Sequence, residues 1–340
     1  MKNYFCSCGS PIFFENTQCV NCQSLLGFDP ESLQLLPFTQ QSAGVWHNPQ
    51  KGLYKPCQNY TRYQVCNWVL PFDSNHEYCL ACDLNEMVPA ITAPEKRLWW
   101  ANLENAKRRL VYTLRQLGLP IQNRKYNVRG LAFAFLEDKR FNPLVDEEFV
   151  QTGYEQGLIT VNLAEADDAN RELQRVRMGE SYRTLLGHFR HESGHFYFEQ
   201  FVSEHWFAHT FQSLFGDYNL DYKNALHHYY QHPPPPVLEG GYISDYAQAH
   251  PLEDWAECWA HYLHMVDTLE TAAEFNLVDS NPLMDDLDNW LREWDRVTVI
   301  LNALNRSMGM RDAYPFVYSA ATINKIRFIH SVAHPMKRTN

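Results

Sequence analysis

No run of apolar residues in this sequence approaches the length of a membrane-spanning helix, which argues against an integral helical membrane protein. The N-terminal stretch MKNYFCSCGSPIFF lacks both an apolar core of seven residues and a small-residue cleavage site, so export is not expected and the cytoplasm is the expected location. A basic excess is also missing. Lys and Arg number 29 against 40 Asp and Glu, for a formal net charge of −11. Non-specific nucleic-acid binding rests on neutralising phosphates, so a duplex-wrapping surface is disfavoured. The short basic cluster KRRL at 107–110 reads as a solvated helix face. No internal repeat shows at solenoid periods. Beyond residue 83 cysteine nearly vanishes, since eight of the nine precede it.

What is present suits a globular chain: 45% apolar and 14% aromatic residues over 340 positions can fill a sizeable core. The crowded cysteines set residues 1–90 apart. CSCGSPIFFENTQCVNC offers Cys6 and Cys8 in one knuckle, ten intervening residues, then Cys19 and Cys22 in a second, enough chain to present four thiolates tetrahedrally. Cys57, Cys66, Cys79 and Cys82 form a second set with one regular knuckle, CLAC, and one loosely spaced pair. In a reducing compartment such sets are read as metal sites rather than disulfides. Two structural zincs are expected, because a short Cys-rich segment with few aliphatics does not fold on a core alone and the metal contributes that free energy. Closed four-Cys sites leave no open position for chemistry, so this module holds shape or binds a protein partner.

A boundary falls near VPAITAPEK, and the remainder, 95–340, reads as one larger domain. Leu98, Leu103, Ala106, Leu110 and Leu114 recur at helical spacing from Glu95 until Gly118 and Pro120 stop the pattern. LAFAFL at 131–136 and LITVNL at 158–163 have strand character and suggest a small sheet, the latter bordering a cleft. ADDANRELQRVRMGE reads as an exposed helix, and Ser181 as the cap of a longer one carrying Tyr182, Leu185, Leu186, Phe189, Phe196 and Phe201. HPPPPVLEGG at 232–241 is a stiff loop. Pro251 opens a helix to about Glu270. Further on, Leu287, Trp290, Leu291, Trp294, Val297, Leu301 and Leu304 share one buttressing stripe.

Inside the helix of 185–201 lies HESGH. Residues four apart share a helix face, so His191 and His195 can each give a ring nitrogen to one metal ion. Glu192 beside them is placed to take a proton from a metal-activated water without ligating. Gly194 is a weak helix former, tolerated as flexibility or needed for the close approach of another element. A catalytic zinc needs a third protein ligand and an open fourth position. The downstream HPLEDWAECWAHYLH offers Glu253, Asp254, Glu257 and His261, of which Glu253, Glu257 and His261 share a face while Trp255 and Trp259 turn toward packing. His188, His250 and His261 read as surface or supporting residues, and Cys258 as a buried apolar thiol.

LGHFRHESGHFYFEQF, LFGDYNLDYKNAL, SDYAQAHPLEDWAECWAHYLH and the N-terminal cysteine pattern together resemble the bacterial zinc-binding metallopeptidases with an N-terminal zinc ribbon, over nearly the whole chain. The resemblance implies an α+β fold, in which a mostly helical zincin-like domain with a small sheet follows the ribbon module. It also implies one catalytic zinc of gluzincin type, held by two His and one Glu, acting on a peptide or protein. SDYAQAHPLEDWAE is further similar to the lethal-factor-type proteases. That similarity implies Tyr246 as the hydroxyl supporting the transition state, Glu253 as the ligand and Glu257 as the acceptor orienting a histidine, with the order of Glu253 and Glu257 open to reversal. Two other functions stay open: a protease acting on nucleic-acid-bound proteins, and a non-catalytic zinc-ribbon scaffold.

Overall fold

In this computed structural model, described at residues 2–178, 180, 182–235, 240–279 and 286–334, the chain forms two compact units, 2–176 and 177–340. The fold is α+β. The compositional boundary near residue 90 lies within the first unit, whose β8 precedes that boundary and pairs with β9 beyond it.

The first unit opens with a two-stranded ribbon, β1 (Tyr4–Phe5) and β2 (Pro11–Ile12), wrapped around the first knuckle. Gly9 sits there at φ 83°, and its N–H donates to the Cys6 carbonyl at 2.9 Å, a reversal that favours glycine. An antiparallel sheet follows in the order β3 (Leu25–Asp29), β4 (Gln34–Ser42), β5 (Val45–Asn48), β6 (Gly52–Pro56) and β7 (Val69–Pro71), with α1 (Gln58–Arg62) before the last strand. Then come α2 (Leu80–Asp83), β8 (Asn85–Met87), α3 (Pro94–Gln116), β9 (Ala132–Leu136), β10 (Gly153–Glu155), β11 (Leu158–Asn162) and α4 (Asp168–Arg177), whose last residue reaches into the second unit. The strands at LAFAFL and LITVNL lie side by side and parallel, in a sheet ordered β10-β11-β9-β8 with β10 antiparallel at its edge.

The Cys-rich part does have a core, and aromatics build it. Phe14, Phe28, Trp68 and Tyr112 pack with neighbouring centroids 4.8–6.4 Å apart, and Leu36, Phe38, Trp46, Tyr54 and Val69 form a second cluster. Leu103, Ala106, Leu110 and Leu114 of α3 are buried as their spacing predicts, whereas Leu98, in the first turn, is exposed. KRRL is not a solvated face. Lys107 is fully buried in an ion pair with Glu104 at 2.8 Å, and Arg108 donates to the Val65 carbonyl at 2.6 Å, one residue from Cys66. The Arg108 cation beside the second group of thiols is a charge complement that no periodicity reveals.

The second unit is helical: α5 (Leu185–Phe201), α6 (His205–Phe215), α7 (Tyr222–Gln231), α8 (Pro251–Glu274), α9 (Leu287–Ser307) and α10 (Ala320–Ala333). Thr184 caps α5 by accepting from the Gly187 N–H at 3.0 Å, so Tyr182 precedes the helix; Ser181 lies outside the described residues, as do 236–239 of the proline-rich loop. Phe207, Phe211, Phe215, Trp255, Trp259 and Phe328 fill the core between α6, α8 and α10. On α9 the expected stripe is buried at Leu287, Trp290, Trp294 and Val297 but has left the core by Leu304.

Candidate metal centre and active site

Two helices make this site, and tryptophans of one are bonded to the other. Trp255 Nε1 of α8 donates to the Gly194 carbonyl of α5 at 2.8 Å, and Trp259 Nε1 donates to Ser193 Oγ at 3.0 Å. At Gly194 a Cβ would stand 2.9 Å from the Ala256 Cα and 3.2 Å from the Trp259 Cβ. The absence of a side chain there is what allows so close a crossing. Arg190 and Asp267 add a buried ion pair between the same helices.

The crossing brings His191, His195 and Glu253 together: a ligand-type atom from each lies within 4.8 Å of the other two. His191 Nε2 stands 3.0 Å from Glu253 Oε2, and His195 Nε2 stands 3.5 Å from Glu253 Oε1. The other ring nitrogen of His191, Nδ1, is 2.7 Å from Glu257 Oε1, one turn further along α8. The second oxygen of Glu257 accepts from Ser244 Oγ at 2.6 Å. A ligating histidine commonly donates its free N–H to a carboxylate in this way, which fixes the ring and directs Nε2 toward the metal. The donor set therefore fits a zinc bound by two imidazole nitrogens and one carboxylate oxygen.

Electrostatics agree with a cation at this point. Burial would lower the His191 pKa, but hydrogen bonds to Glu253 and Glu257 carry it well above the imidazole range. Burial would raise Glu253, yet His195 and His191 hold it well below the carboxylate range. Glu192 is buried beside the same histidines, and that burial raises its pKa.

The remaining candidates divide. Tyr246 lies in a short 3-10 turn, Tyr246–Gln248, with its ring centroid 6.0 Å from that of His191. His250, Asp254 and His261 have other partners. His250 caps α8, accepting from Leu252 N at 3.1 Å. Asp254 pairs with Lys325 at 2.5 Å, and His261 Nδ1 meets the Tyr314 hydroxyl at 2.5 Å. Cys258 is fully buried. Sequence reasoning missed Ser244, which stands in the same SDYAQAH segment as Tyr246, and Tyr222, whose hydroxyl donates to Glu253 Oε1 at 2.6 Å.

Both cysteine sets are gathered. Cys6, Cys8, Cys19 and Cys22 have their sulfurs within 4.8 Å of one another, as do Cys57, Cys66, Cys79 and Cys82. All are free thiols. Cys8 and Cys22 of the first group are exposed, while the second group is wholly buried. Knuckle turns are closed by backbone bonds such as Gln23 N–H to the Cys19 carbonyl at 2.9 Å.

Comparison with known proteins points the same way. Residues 96–332 match the family described as "Putative zinc-binding metallo-peptidase", and residues 3–93 match a zinc-ribbon domain. The chain is 39% identical over 342 residues to proteins of Mycobacterium tuberculosis (strain H37Rv) and Mycobacterium bovis, covering 98% of this chain and 95% of theirs; both carry the name "Uncharacterized protein". No solved structure matches. Among the described residues no helix is long and apolar enough to cross a membrane. With the family matched over most of its length and a ribbon domain ahead of it, the chain belongs to the zinc-binding metallo-peptidases that carry an N-terminal zinc ribbon.

Proposed function

We propose that this protein is a cytoplasmic HExxH peptidase of gluzincin type that hydrolyses peptide bonds in a peptide or protein, with one catalytic and two structural zincs. The observation that carries this reading is the meeting of His191, His195 and Glu253 within 4.8 Å, with Glu257 on the free nitrogen of His191. His191, His195 and Glu253 would hold the catalytic zinc, and the two four-Cys groups would hold the others. When bound, the catalytic zinc supplies Lewis-acid polarisation of a water and of the scissile carbonyl.

The chain's own residues do the rest. Glu192 accepts the proton of the attacking water and delivers it to the leaving amine; its buried setting raises its pKa and makes it a better proton acceptor. Tyr246 donates its hydroxyl hydrogen to the oxygen on which negative charge develops. Glu257, fixed by Ser244, keeps the His191 ring oriented. Free thiols in both cysteine groups are in keeping with a reducing compartment. The acidic excess falls mostly in 177–340, which gives the nucleic-acid alternative no support.

Glu192→Gln tests the assignment. The variant should keep the fold and the zinc content of the parent while losing cleavage of an unfolded protein substrate by about 100-fold or more. Retained turnover would remove Glu192 from the general-base role.

A further inference from the structure

Tyr222 begins α7, and its hydroxyl reaches a carboxylate 31 residues away. The bond is short, 2.6 Å, and its acceptor is Oε1 of Glu253. The other oxygen, Oε2, faces His191 Nε2 at 3.0 Å. Oε1 also lies 3.5 Å from His195 Nε2, so both oxygens border the histidine pair, and what differentiates them is the phenol on Oε1. We infer that Tyr222 is a positioning residue that holds Glu253 to a single metal–oxygen bond through Oε2, keeping a coordination position open for water and substrate. This inference rests on the metal site proposed above.

The phenol is held in place by more than its own hydrogen bond. Asp221 caps α7, accepting from the Asn224 N–H at 3.1 Å. The Leu220 carbonyl accepts from His250 Nε2 at 3.2 Å, while His250 Nδ1 accepts from Leu252 N. The neutral His250 ring thus ties the α6–α7 connection to the first turn of α8, the turn that carries Glu253. The Tyr222 ring meets the His250 ring edge to face at 5.2 Å. Gly216 ends α6 at φ 107°, and a Cβ there would stand 3.4 Å from the Pro251 ring.

Chemistry gives that arrangement its consequence. A carboxylate binds zinc through one oxygen or chelates it through both, and chelation fills a position that a hydrolytic site needs vacant. A phenol is neutral at pH 7 and donates one hydrogen bond. Placed on Oε1, it draws on the lone-pair density that a second metal bond would require. The transition-state role proposed for Tyr246 is a different one, so the two tyrosines have separate tasks.

Tyr222→Phe removes only the oxygen. The labile metal is first withdrawn by a chelator that spares the four-Cys sites, and Co(II) is then added to the full-length parent, to Tyr222→Phe and to His191→Ala/Glu253→Ala. Subtracting the double variant isolates the spectrum of this site. The parent should show the intense visible absorption of four-coordinate cobalt, and Tyr222→Phe a markedly weaker band together with a roughly 10- to 100-fold loss of Co(II) and zinc affinity. Identical spectra and affinities in the parent and Tyr222→Phe would overturn the role of Tyr222 and leave the site standing. A five-coordinate spectrum in the parent would overturn it as well. No difference between the parent and the double variant would instead remove the metal site itself.

Discussion

Replacing Gly194 by alanine should damage the active site, although alanine is the better helix former. A Cβ at 194 would stand 2.9 Å from the Cα of Ala256, a backbone atom of α8 that cannot rotate away. Carbon atoms pack best at about 3.5–4.0 Å, so the helices must part by roughly 0.6 Å or more. Overpacking of that kind costs about 1–3 kcal/mol. The same displacement stretches the 2.8 Å bond from Trp255 to the Gly194 carbonyl, worth about 1 kcal/mol. Alanine returns about 1 kcal/mol through helix propensity. The expected balance is a loss of about 1–3 kcal/mol, read from urea unfolding followed by tryptophan fluorescence. Zinc should suffer in parallel, because its ligand distances tolerate only about 0.2 Å and α8 carries Glu253. Chelator competition should show weaker zinc binding. If Gly194→Ala is as stable as the parent or more so, and binds zinc equally well, the close-crossing argument is wrong.

Two further outcomes follow from buried charge. Lys325→Met leaves Asp254 buried without its cation and should cost about 3–5 kcal/mol, whereas Lys325→Met/Asp254→Asn should recover most of it; equal losses in both variants would count against the ion pair. The pKa of His261 is pushed down to about 4 by burial, so below an unfolded pKa near 6.5 the unfolded chain takes up a proton that the folded chain refuses. Its contribution to stability is intact above about pH 6.5, is lost as pH falls toward about 4, and amounts to about 2 kcal/mol lost at pH 5. Urea midpoints measured from pH 7 to 5 should fall, and His261→Gln should flatten that fall.

Much of the fold was written in local pattern. α3 and α8 begin at the prolines that open them, Pro94 and Pro251, and HESGH lies inside a helix because Leu185 to Phe201 contains no breaker stronger than glycine. The reading of KRRL failed for a physical reason. Lys107 pairs with Glu104 one turn earlier on the same helix, but Arg108 is buried through the Val65 carbonyl beside Cys66, a partnership with a distant segment that charge counting along one helix does not see. The aromatic core of the ribbon escaped notice because counting aliphatics undervalues Phe14, Phe28 and Trp68. On α9 periodicity held through Val297, but periodicity says nothing of where the opposing surface ends.

The candidate site divides in the same way. Glu253 and Glu257, four apart, were visible as a pair on one face, and the geometry now separates them: Glu253 lies by both histidines and Glu257 on the far nitrogen of His191. Tyr222 stands inside LFGDYNLDYKNAL, but nothing in that segment pointed to a role for it. Its place depends on the His250–Leu220 bond, which spans 30 residues, and tyrosine at a helix start is unremarkable in sequence.

The central claim is that HESGH and Glu253 hold a metal distinct from those of the cysteine groups. Elemental analysis of the purified parent and of His191→Ala/Glu253→Ala tests it most directly. One zinc for each of the three ligand groups, falling to two in the double variant, is the predicted result. The same zinc content in both proteins would contradict it, and would leave the cysteine groups as the metal sites of a non-catalytic protein.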